Sequence, residues 1–592
     1  MSETVIAKPI CWQAESSPSQ AMLEAVYTAK PSLHPTVARI AARRIATPDA
    51  VKTWFEDFPP LCDPFVLPDM GKAVQRIRIA LEQQQTITIF GDYDTDGITA
   101  TTVMVQALQQ CGAKVFYFIP DRETEGYGLT PNAVQRCLNT FPSTALLITV
   151  DCGISSVAEV ANLNAKGVDV IITDHHVLPE MLPPAYAIVN PRRCAVSALQ
   201  NMCGCATAFT VIRALVTDEH CKNFLDLVAV ATIADVMALT GENRALVTRG
   251  LWVLSSLKYG NVGLKLLAAT QKVDFSKIAQ CTQKSHLPLV ETVAFNLVPC
   301  LNAASRVGRF ELAYNLLNTA KPLPNRNPTP AECARSKTAA AMLVEANKER
   351  RDIEKRLREH IDGLQLQPVG NVIIASGSQE EGFEPGVLGI VAARLADKYH
   401  LPAVVCCVKP DGSASGSMRA NGPWHAVKAL DTIADLCEHY GGHKAAAGFA
   451  LKPGAFEAFA TRLPEAFTQC QQEKNVKAYE EDIMHPLESS FYADLELLEP
   501  FGAGNPRPIF AKQVILMTYE LLGAEKAHVW LRVAEPDDAS VTYDAMWFSG
   551  ARHMRSWQSG MRLRLFFTVS RDKTKPSIWK LFVEDAVPVP NP

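Results

Sequence analysis

Five short apolar runs, each the length of a β-strand, alternate with helical stretches between residues 85 and 240. The runs occupy residues 86–90, 115–119, 145–150, 168–173 and 187–190. Strands that are apolar on both faces and separated by helices predict an α/β fold with a doubly wound parallel sheet. Ligands of such sheets collect at the carboxyl ends of the strands, so functional side chains are expected at that edge.

Three carboxylates alternate directly after the first run, in the segment FGDYDTDG that contains Asp92, Asp94 and Asp96. Like charges this close repel one another at neutral pH, and a divalent cation is the usual reason for tolerating them. A solvated acidic turn is the simpler alternative. An EF-hand loop is excluded because its twelfth position would be Val103 rather than Glu, and because a strand precedes it.

Carboxylates and imidazoles follow three further apolar runs in the same way. They are Asp151 after 145–150, Asp174, His175 and His176 after 168–173, and Asp235 after the apolar segment 227–234. Because neighbouring strand ends lie side by side, we expect these side chains to converge. A single His is more often structural, but two His after an Asp at a strand end favour a ligand role.

A site that mixes Asp oxygen with His nitrogen suits Mn²⁺ or Mg²⁺, with Zn²⁺ also possible. A site for two ions needs a carboxylate that can bridge them, and Asp151 is placed to do so. Two close metals bind a phosphate oxygen and lower the pKa of a water, so the residues predict phosphoester hydrolysis. The sequence contains no nucleotide P-loop and no GxGxxG segment to compete with this interpretation.

The 592 residues predict about four domains, or three if one is large. No apolar run approaches the ~20 residues of a membrane-spanning helix, and we expect a cytoplasmic protein because no secretion signal is evident. The 16 cysteines include no CxxC pair, which favours buried free thiols. A net charge of -4 means that any nucleic acid must bind through a local basic patch.

The texture of the chain predicts five regions. They are an N-terminal helical region packed on the catalytic domain (1–84), the α/β catalytic domain (85–320), a long connecting helix (331–365), a smaller α/β domain (366–470) and a β-domain (478–592). The proline-rich segment 321–330 predicts a loop before the long helix. Residues 331–362 contain neither Gly nor Pro, which favours that helix.

The tripeptide Asp174-His175-His176 resembles the signature of the DHH phosphoesterase superfamily, and the chain resembles most closely its RecJ family of single-strand-specific 5′→3′ DNA exonucleases. Matching segments run through almost the whole chain, at 34–45, 65–77, 89–100, 120–129, 150–155, 173–191, 226–239, 242–244 and 500–506. The resemblance implies a DHH domain joined by the long helix to a DHHA1 substrate-binding domain, followed by an OB-fold.

The resemblance also implies roles for particular residues. The metal ligands would be Asp92, Asp94, Asp96, Asp151, His175 and Asp235. Asp94, Asp151, His175 and His176 would form the catalytic group, with Asp151 bridging the metals and His176 close to the scissile phosphate. The cofactor would be two Mn²⁺ or Mg²⁺ ions per site.

Substrate binding would fall to Asn302, Arg306, Ser417, Arg419, Gly442 and His443. Glycines let backbone N–H groups approach a phosphate, and Arg and His supply further donors, although a tight structural turn is an alternative for 441–448. Three departures from the family pattern stand out: Cys300 replaces Arg, Ser305 replaces Gly, and Phe383-Glu384 replaces Trp-His.

The β-domain is basic near its end. Residues 551–580 contain Arg552, Arg555, Arg562, Arg564, Arg571, Lys573, Lys575 and Lys580 against the single acid Asp572, with Trp557, Phe566, Phe567 and Trp579 interleaved. Basic residues with stacking aromatics suit single-stranded nucleic acid. The favoured alternative for the aromatics is burial in the core of the domain.

The favoured function is therefore a processive 5′→3′ exonuclease on single-stranded DNA in recombination and repair, which uses metal-activated water and releases 5′-mononucleotides. The alternatives are a related phosphoesterase acting on short RNA or small nucleotides, and a catalytically silent scaffold that binds single strands. A partnership with single-stranded-DNA-binding protein is implied by the resemblance only. We expect a monomer without membrane contact.

Overall fold

The structure is a computed structural model. It describes residues 11–121, 124–216, 218–256, 260–275, 289–319, 329–470, 476–480, 489–523, 526–571 and 579–590. The predicted loop 321–330 lies outside these ranges except for its last two residues. None of the helices in the described ranges combines the length and the apolar character that a membrane crossing requires.

The first described part of the chain is mostly helical. It contains β1 (Cys11–Ala14), α1 (Gln20–Ala29), α2 (Pro35–Arg44), α3 (Pro48–Trp54), a 3-10 turn (Pro64–Val66) and α4 (Met70–Glu82). Local chemistry defines the helix starts: Thr47 accepts a hydrogen bond from the N–H of Ala50, and α2 and α3 carry Pro in their first turn.

A five-stranded parallel sheet follows, in the order β3-β2-β4-β5-β6. Its elements are β2 (Thr86–Phe90), α5 (Thr95–Gln110), β3 (Lys114–Phe118), α6 (Pro131–Thr140), β4 (Thr144–Val150), α7 (Val157–Ala165), β5 (Asp169–Thr173) and β6 (Ala187–Val189). All five predicted strands are present, with ends shifted by one residue at most. The predicted parallel α/β sheet is confirmed.

Helices dominate the next segment. They are α8 (Gly204–Leu215), α9 (Asp218–Cys221), α10 (Leu225–Ala234), α11 (Gly241–Ser255) and α12 (Val262–Thr270), with 3-10 turns at Pro191–Arg193, Ser197–Leu199 and Lys222–Phe224. The apolar segment before Asp235, which we expected to be a buried element that ends at the site, is helix α10. All but one of the α10 residues are buried, so the segment has no polar face to distinguish a helix from a strand.

The chain then runs through α13 (Leu289–Thr292), a π-helical turn (Val293–Leu297), α14 (Val298–Arg306), α15 (Glu311–Thr319) and α16 (Pro330–Gly363). Helix α16 is the predicted long connecting helix. Contacts divide the chain into two units. The larger contains Gln13–Val298, Leu316–Lys337 and Ala478–Pro592, and the smaller contains Pro299–Asn315 and Thr338–Lys477. The five domain boundaries given above stay a prediction.

The smaller unit has a five-stranded mixed sheet in the order β10-β11-β9-β8-β7. Its elements are β7 (Ile373–Gly377), α17 (Leu388–Tyr399), β8 (Ala403–Val408), β9 (Ala414–Arg419), α18 (Ala426–Asp431), a 3-10 turn (Ala434–Leu436), β10 (Cys437–Gly442), β11 (Ala446–Leu451) and α19 (Phe456–Gln469). Only β7 and β8 pair in parallel among these strands.

The C-terminal part of the larger unit closes into a five-stranded barrel, which confirms the predicted OB-like domain. The elements of the chain from residue 476 onward are β12 (Val476–Tyr479), α20 (Ser489–Glu496), β13 (Phe510–Leu522), β14 (His528–Ala534), β15 (Thr542–Trp547), a 3-10 turn (Gly550–Ser556), β16 (Arg562–Arg571) and β17 (Trp579–Pro588). The barrel order is β13-β14-β15-β17-β16. Strand β12 pairs with β1 outside the barrel.

Three of the four aromatic residues that the sequence placed among the basic residues of the barrel are core residues. Trp557, Phe566 and Phe567 are buried, so the stacking role is wrong for these three and the alternative is correct. Phe567 belongs to a hydrophobic cluster that also includes Val26 and Val37 of the N-terminal helices. The side chains of Arg552, Arg555, Arg571, Lys573, Lys575 and Trp579 lie outside the described residues.

A buried arginine joins α11 to the segment that precedes the barrel. The guanidinium of Arg244 lies 3.9 Å from the ring centroid of Trp54 in α3, and its Nη1 donates to the carbonyl of Leu498 at 3.0 Å. Burial lowers the pKa of Arg244 to about 9, and it raises the pKa of the neighbouring Glu499 to about 8. The two groups therefore share a site with little access to water.

Candidate metal centre and phosphate-binding residues

The three alternating carboxylates lie where β2 gives way to α5. Asp94 is the N-cap of α5, and its Oδ1 accepts a hydrogen bond from the N–H of Gly97 at 3.1 Å. Asp96 accepts from the N–H groups of Gly204 at 2.7 Å and Cys205 at 2.8 Å, in the first turn of α8. Helix N-termini stabilise negative charge, so the backbone N–H groups of α5 and α8 fix the positions of Asp94 and Asp96 and stabilise their ionised forms.

Asp151 comes directly after β4 and has a left-handed backbone, with φ of 62°. Its N–H donates to the carbonyl of Thr173 in β5 at 2.9 Å. Asp adopts this conformation more readily than most residues, but the conformation still costs energy and such residues concentrate at functional sites. The strained backbone is therefore consistent with a constrained ligand.

The tandem histidines follow β5, and the buried Asp174 before them organises their backbone. Its Oδ1 accepts from the N–H of His175 at 2.7 Å, from the N–H of His176 at 3.1 Å, and lies 2.8 Å from Nδ1 of His176. The hydroxyl of Tyr127 donates to the carbonyl of Asp151 at 2.9 Å and lies 3.2 Å from the same Nδ1. Sequence reasoning assigned no role to Asp174 or Tyr127, although both lie in the segments that carried the family resemblance.

Asp235 reaches the site from the end of helix α10 and not from a strand. The next residue, Val236, is left-handed with φ of 53°, which is unusual for a β-branched side chain. The chain beyond it is held by the loop before the barrel, because the N–H of Leu239 donates to the carbonyl of Ala503 at 2.7 Å. The signal for this ligand in the sequence was its position after an apolar run, whichever element that run formed.

The structure brings all six predicted metal ligands together. Nε2 of His175 lies 3.2 Å from Oδ1 of Asp151, 3.6 Å from Oδ2 of Asp235 and 3.9 Å from Oδ2 of Asp96. Three groups each have ligand atoms within 4.8 Å of one another: Asp92, Asp94 and Asp151; Asp96, His175 and Asp235; and Asp151, His175 and His176. Asp151 and His175 each belong to two groups, and the 3.2 Å between Oδ1 of Asp151 and Nε2 of His175 links the groups to one another.

The buried carboxylates of the cluster repel one another, and a bound cation would relieve that repulsion. Burial and the neighbouring carboxylates raise the pKa of Asp151 well above its ordinary value and that of Asp235 to about 8. Burial lowers the pKa of His175 to about 4, so its imidazole is neutral at pH 7. Burial opposes protonation of His176, but its hydrogen bond with Asp174 raises its pKa to about 9.

The donor set fits divalent cations. Oδ1 of Asp151 and Oδ2 of Asp235 are buried and form no hydrogen bond with the part of the chain that the structure describes. Buried carboxylate oxygens are normally hydrogen-bonded or bound to a metal. Oxygen-rich groups with one or two imidazoles match the preferences of Mn²⁺ and Mg²⁺.

The predicted phosphate-binding residues all lie in the smaller unit. In α14, the carbonyl of Asn302 accepts from Oγ of Ser305 at 3.1 Å, and Nη1 of Arg306 donates to the carbonyl of Gly386 at 2.8 Å. Cys300 is buried and its Sγ accepts from Nδ2 of Asn347, so it packs against α16. Phe383 is fully buried, so the departure from the family pattern at this position supplies a core side chain.

The remaining four residues share one corner of the mixed sheet. Nη1 of Arg419 donates to Oγ of Ser417 at 3.1 Å, and a Cβ on Gly389 in the first turn of α17 would lie within 3.1 Å of both side chains. Arg419 pairs across the sheet with Ala446, whose carbonyl accepts from the N–H of His443 at 2.7 Å. Gly442 has φ of 143°, where a side chain is rarely tolerated.

Gly204 approaches Asp151 so closely that a side chain cannot fit. A Cβ there would lie 2.5 Å from Oδ1 of Asp151. We expect Gly204→Ala to displace this carboxylate and to lower both Mn²⁺ affinity and turnover by about 10- to 100-fold, since small misplacements at a reacting centre have effects of that size. Isothermal titration with Mn²⁺ and steady-state kinetics measure the two quantities.

The matched control is Gly71→Ala, also on a helix. A Cβ at Gly71 meets nothing within 4 Å, so this variant should bind Mn²⁺ as the wild type does. Wild-type Mn²⁺ affinity in Gly204→Ala would show that Asp151 does not need its present position to bind metal.

Three protein-family models match the chain. They are the DHH family N-terminal domain over residues 86–232, the DHHA1 domain over 370–469 and the RecJ OB domain over 484–577. The first contains the parallel sheet and every predicted metal ligand except Asp235, which lies beyond its end. The second contains Ser417, Arg419, Gly442 and His443.

Curated relatives match over most of the chain. The single-stranded-DNA-specific exonuclease RecJ of Bacillus subtilis is 32% identical over 536 residues, covering 88% of this chain. The Haemophilus influenzae protein of the same name is 30% identical over 521 residues, covering 83% of this chain and 85% of that protein. The chain spans only 64% of the Bacillus subtilis relative and 66% of the Thermus thermophilus relative.

Solved structures give the same likeness. The crystal structure of RecJ from Thermus thermophilus in complex with Mn²⁺ superposes with a TM-score of 0.80 at 28% identity, covering 99% of this chain and 81% of that chain. The Mg²⁺ complex of the same protein gives a TM-score of 0.72 at 27% identity, covering 98% and 79%. The fold is therefore shared across the α/β domains and the barrel.

Proposed function

Because the chain belongs to the RecJ family of the DHH phosphoesterase superfamily, we propose that it is a metal-dependent exonuclease that degrades single-stranded DNA from its 5′ end and releases 5′-mononucleotides. The observation that carries the proposal is the convergence of the six predicted metal ligands, which are five carboxylates and the imidazole of His175. Recombination and repair are the processes in which such an activity would serve.

Two groups of ligands support a site for two Mn²⁺ or Mg²⁺ ions. Asp92, Asp94 and Asp151 would hold one ion, while Asp96, His175 and Asp235 would hold the other, with Asp151 shared between them. When bound, such ions supply a water of lowered pKa and neutralise charge on the phosphate that is cleaved.

The protein's own side chains would orient the reaction. Asp174 fixes the ring of His176, and Tyr127 ties that ring to the backbone of Asp151. His176 is more exposed than His175, with 40% of its side chain accessible against 7%. A half-exposed imidazole at the edge of the cluster is suited to contact the scissile phosphate, which is the role we propose for it.

The smaller unit would hold the phosphates of the strand. Arg419 and Ser417 lie at the first turn of α17, where backbone N–H groups favour an anion. His443 and Gly442 share that corner of the sheet, and Arg306 contacts the loop before α17 through Gly386. We propose these residues, together with Asn302, as substrate contacts.

Single-stranded DNA is the substrate partner in this proposal. Single-stranded-DNA-binding protein as a second partner, and a monomeric state, rest on the family resemblance and our expectation from the sequence. The described cysteines are free thiols, which suits a reducing compartment, and a cytoplasmic location is part of the proposal.

The test is Mn²⁺-dependent degradation of a single-stranded oligonucleotide labelled at either end. The expected result is release of mononucleotides from the 5′ end, no reaction after chelation, and no reaction with Asp94→Ala. A blunt duplex of the same sequence is the control substrate and should resist digestion. Digestion that starts at the 3′ end, or strand binding without turnover, would overturn the proposal.

A further inference from the structure

One arginine beside the metal centre differs in its pairing from the arginines around it. Arg192 is exposed, and within the described residues its guanidinium makes one hydrogen bond, from Nε to the carbonyl of His175 at 2.7 Å. Three other arginines of the parallel-sheet domain form ion pairs: Arg193 with Asp69, Arg136 with Glu125, and Arg76 with Asp169. Both terminal nitrogens of Arg192 therefore remain available as donors.

Hydrogen bonds to the end of the sheet fix the position of the Arg192 guanidinium. Asn190 follows β6 at the carboxyl edge of the sheet and is fully buried. Its Oδ1 accepts from the N–H of Arg192 at 2.9 Å, and its Nδ2 donates to the carbonyl of His176 at 3.1 Å. Pro191 opens the 3-10 turn Pro191–Arg193 with a fixed φ. One buried amide thus anchors both the tandem histidines and the turn that carries Arg192.

Arg192 lies beside the metal centre. Its Nε donates to the carbonyl of the predicted ligand His175, and the Asn190 that anchors its turn donates to the carbonyl of His176. A phosphate chain that approaches a cluster of carboxylates needs positive charge along its path, and a fixed guanidinium at the rim supplies it.

We propose that Arg192 binds a phosphate oxygen of the DNA strand at the metal centre, an inference that rests on the proposed exonuclease function. With Nε engaged by His175, the two terminal nitrogens form a planar pair of donors that matches phosphate geometry. Lysine has a single terminal nitrogen and cannot hold the His175 carbonyl while presenting two parallel donors to a phosphate.

The test compares Arg192→Gln and Arg192→Lys with the wild type. Binding of a fluorescent oligonucleotide by metal-free protein is followed by anisotropy across a KCl series, which requires no turnover. We expect Arg192→Gln to weaken the salt dependence of binding. The negative slope of log K against log salt should become smaller in magnitude by about 0.7, the value for one phosphate contact on a single strand. KM should rise about 10-fold with a smaller change in kcat, and Arg192→Lys should recover only part of the loss.

Mn²⁺ affinity and the melting temperature distinguish a substrate contact from a structural role, and both should stay at wild-type values. The matched control is Lys114→Gln, which removes one charge at the start of β3, the end of the parallel sheet away from the metal centre. It should leave the salt slope unchanged.

Wild-type slope and KM in Arg192→Gln would overturn the proposal, as would a parallel fall in Mn²⁺ affinity, which would mean that Arg192 acts through His175. If the wild type binds strands but does not cleave them, the proposed exonuclease fails, and the salt slope still decides whether Arg192 contacts phosphate. If the wild type cleaves and Arg192→Gln matches it in every measurement, only the role of Arg192 fails.

Discussion

Replacing Asp151 by Asn is expected to abolish turnover while making the metal-free protein more stable. The carboxylate is buried among like charges that raise its pKa well above the ordinary value, so its ionised form destabilises the folded state at neutral pH. An amide of the same shape removes that repulsion, and Asn tolerates the left-handed backbone at this position. The free energy of unfolding of chelated protein should therefore increase.

The same substitution removes a ligand that belongs to two of the clustered groups. Turnover should fall by at least on the order of 10³-fold because both ion sites are impaired. Titration with Mn²⁺ should also show that the stabilisation which metal confers on the wild type is largely lost. Calorimetric melting with and without Mn²⁺ measures the stability of the metal-free protein and the stabilisation by metal on one sample. Steady-state kinetics measures the turnover.

Asp169→Asn is the matched control for Asp151→Asn. Asp169 begins β5 at the amino ends of the strands, away from the metal centre, and Nε of Arg76 donates to its Oδ2 at 2.6 Å. This variant should lose stability and retain Mn²⁺ binding, the reverse of Asp151→Asn. If Asp151→Asn destabilises the metal-free protein instead, the carboxylate has a structural role that outweighs charge repulsion.

Removing the Arg244 side chain is the largest stability effect that we expect. Arg244→Ala would leave the carbonyl of Leu498 without its donor and Trp54 without its cation. The buried Glu499 would keep the ion pair with Arg507 at 3.6 Å but would lose the nearby charge of Arg244. A buried acceptor left without its donor costs about 1–3 kcal/mol, and the lost packing of the side chain adds to this cost. We therefore expect the free energy of unfolding to decrease by about 3 kcal/mol. Urea denaturation followed by circular dichroism measures it.

Arg249→Ala is the control on the same helix. Arg249 is half-buried, and its Nε donates to the carbonyl of Pro59 at 2.9 Å. Its loss should cost about 1 kcal/mol, as for an ordinary hydrogen bond. Equal effects of the two substitutions would indicate that burial of Arg244 adds nothing to its contribution.

The contrast between Asp151 and Asp235 shows how far pattern alone reaches. Both ligands were identified by their position after an apolar run, and for Asp151 the run is the predicted strand. For Asp235 the run is a helix. The sequence could not distinguish a helix from a strand here, because a segment that is buried on every side has no hydrophobic periodicity. Asp235 stays a predicted ligand. The sequence left open which element would carry it, because any buried element that ends at the site can place a side chain there.

The aromatics of the barrel and the side chain of Arg192 illustrate the same limit. Alternation in a short strand puts one set of side chains inside, but it does not say which set, and Phe566 and Phe567 are both buried because the pairing of β16 with β17 shifts register between them. Arg192 carries no signal in its own segment. Its proximity to His175 depends on the turn after β6 and on the hydrogen bonds of Asn190.

The sequence by itself determined the parallel sheet, the family and the kind of metal, because strand-length apolar runs, motifs and crowded carboxylates are local properties of the chain. It also predicted the residues that would bind the metal. The tertiary structure alone decided the left-handed backbone of Asp151, the contacts of Tyr127 with His176 and Asp151, and the setting of Arg192. These depend on contacts between residues distant in sequence, whose distances only packing defines.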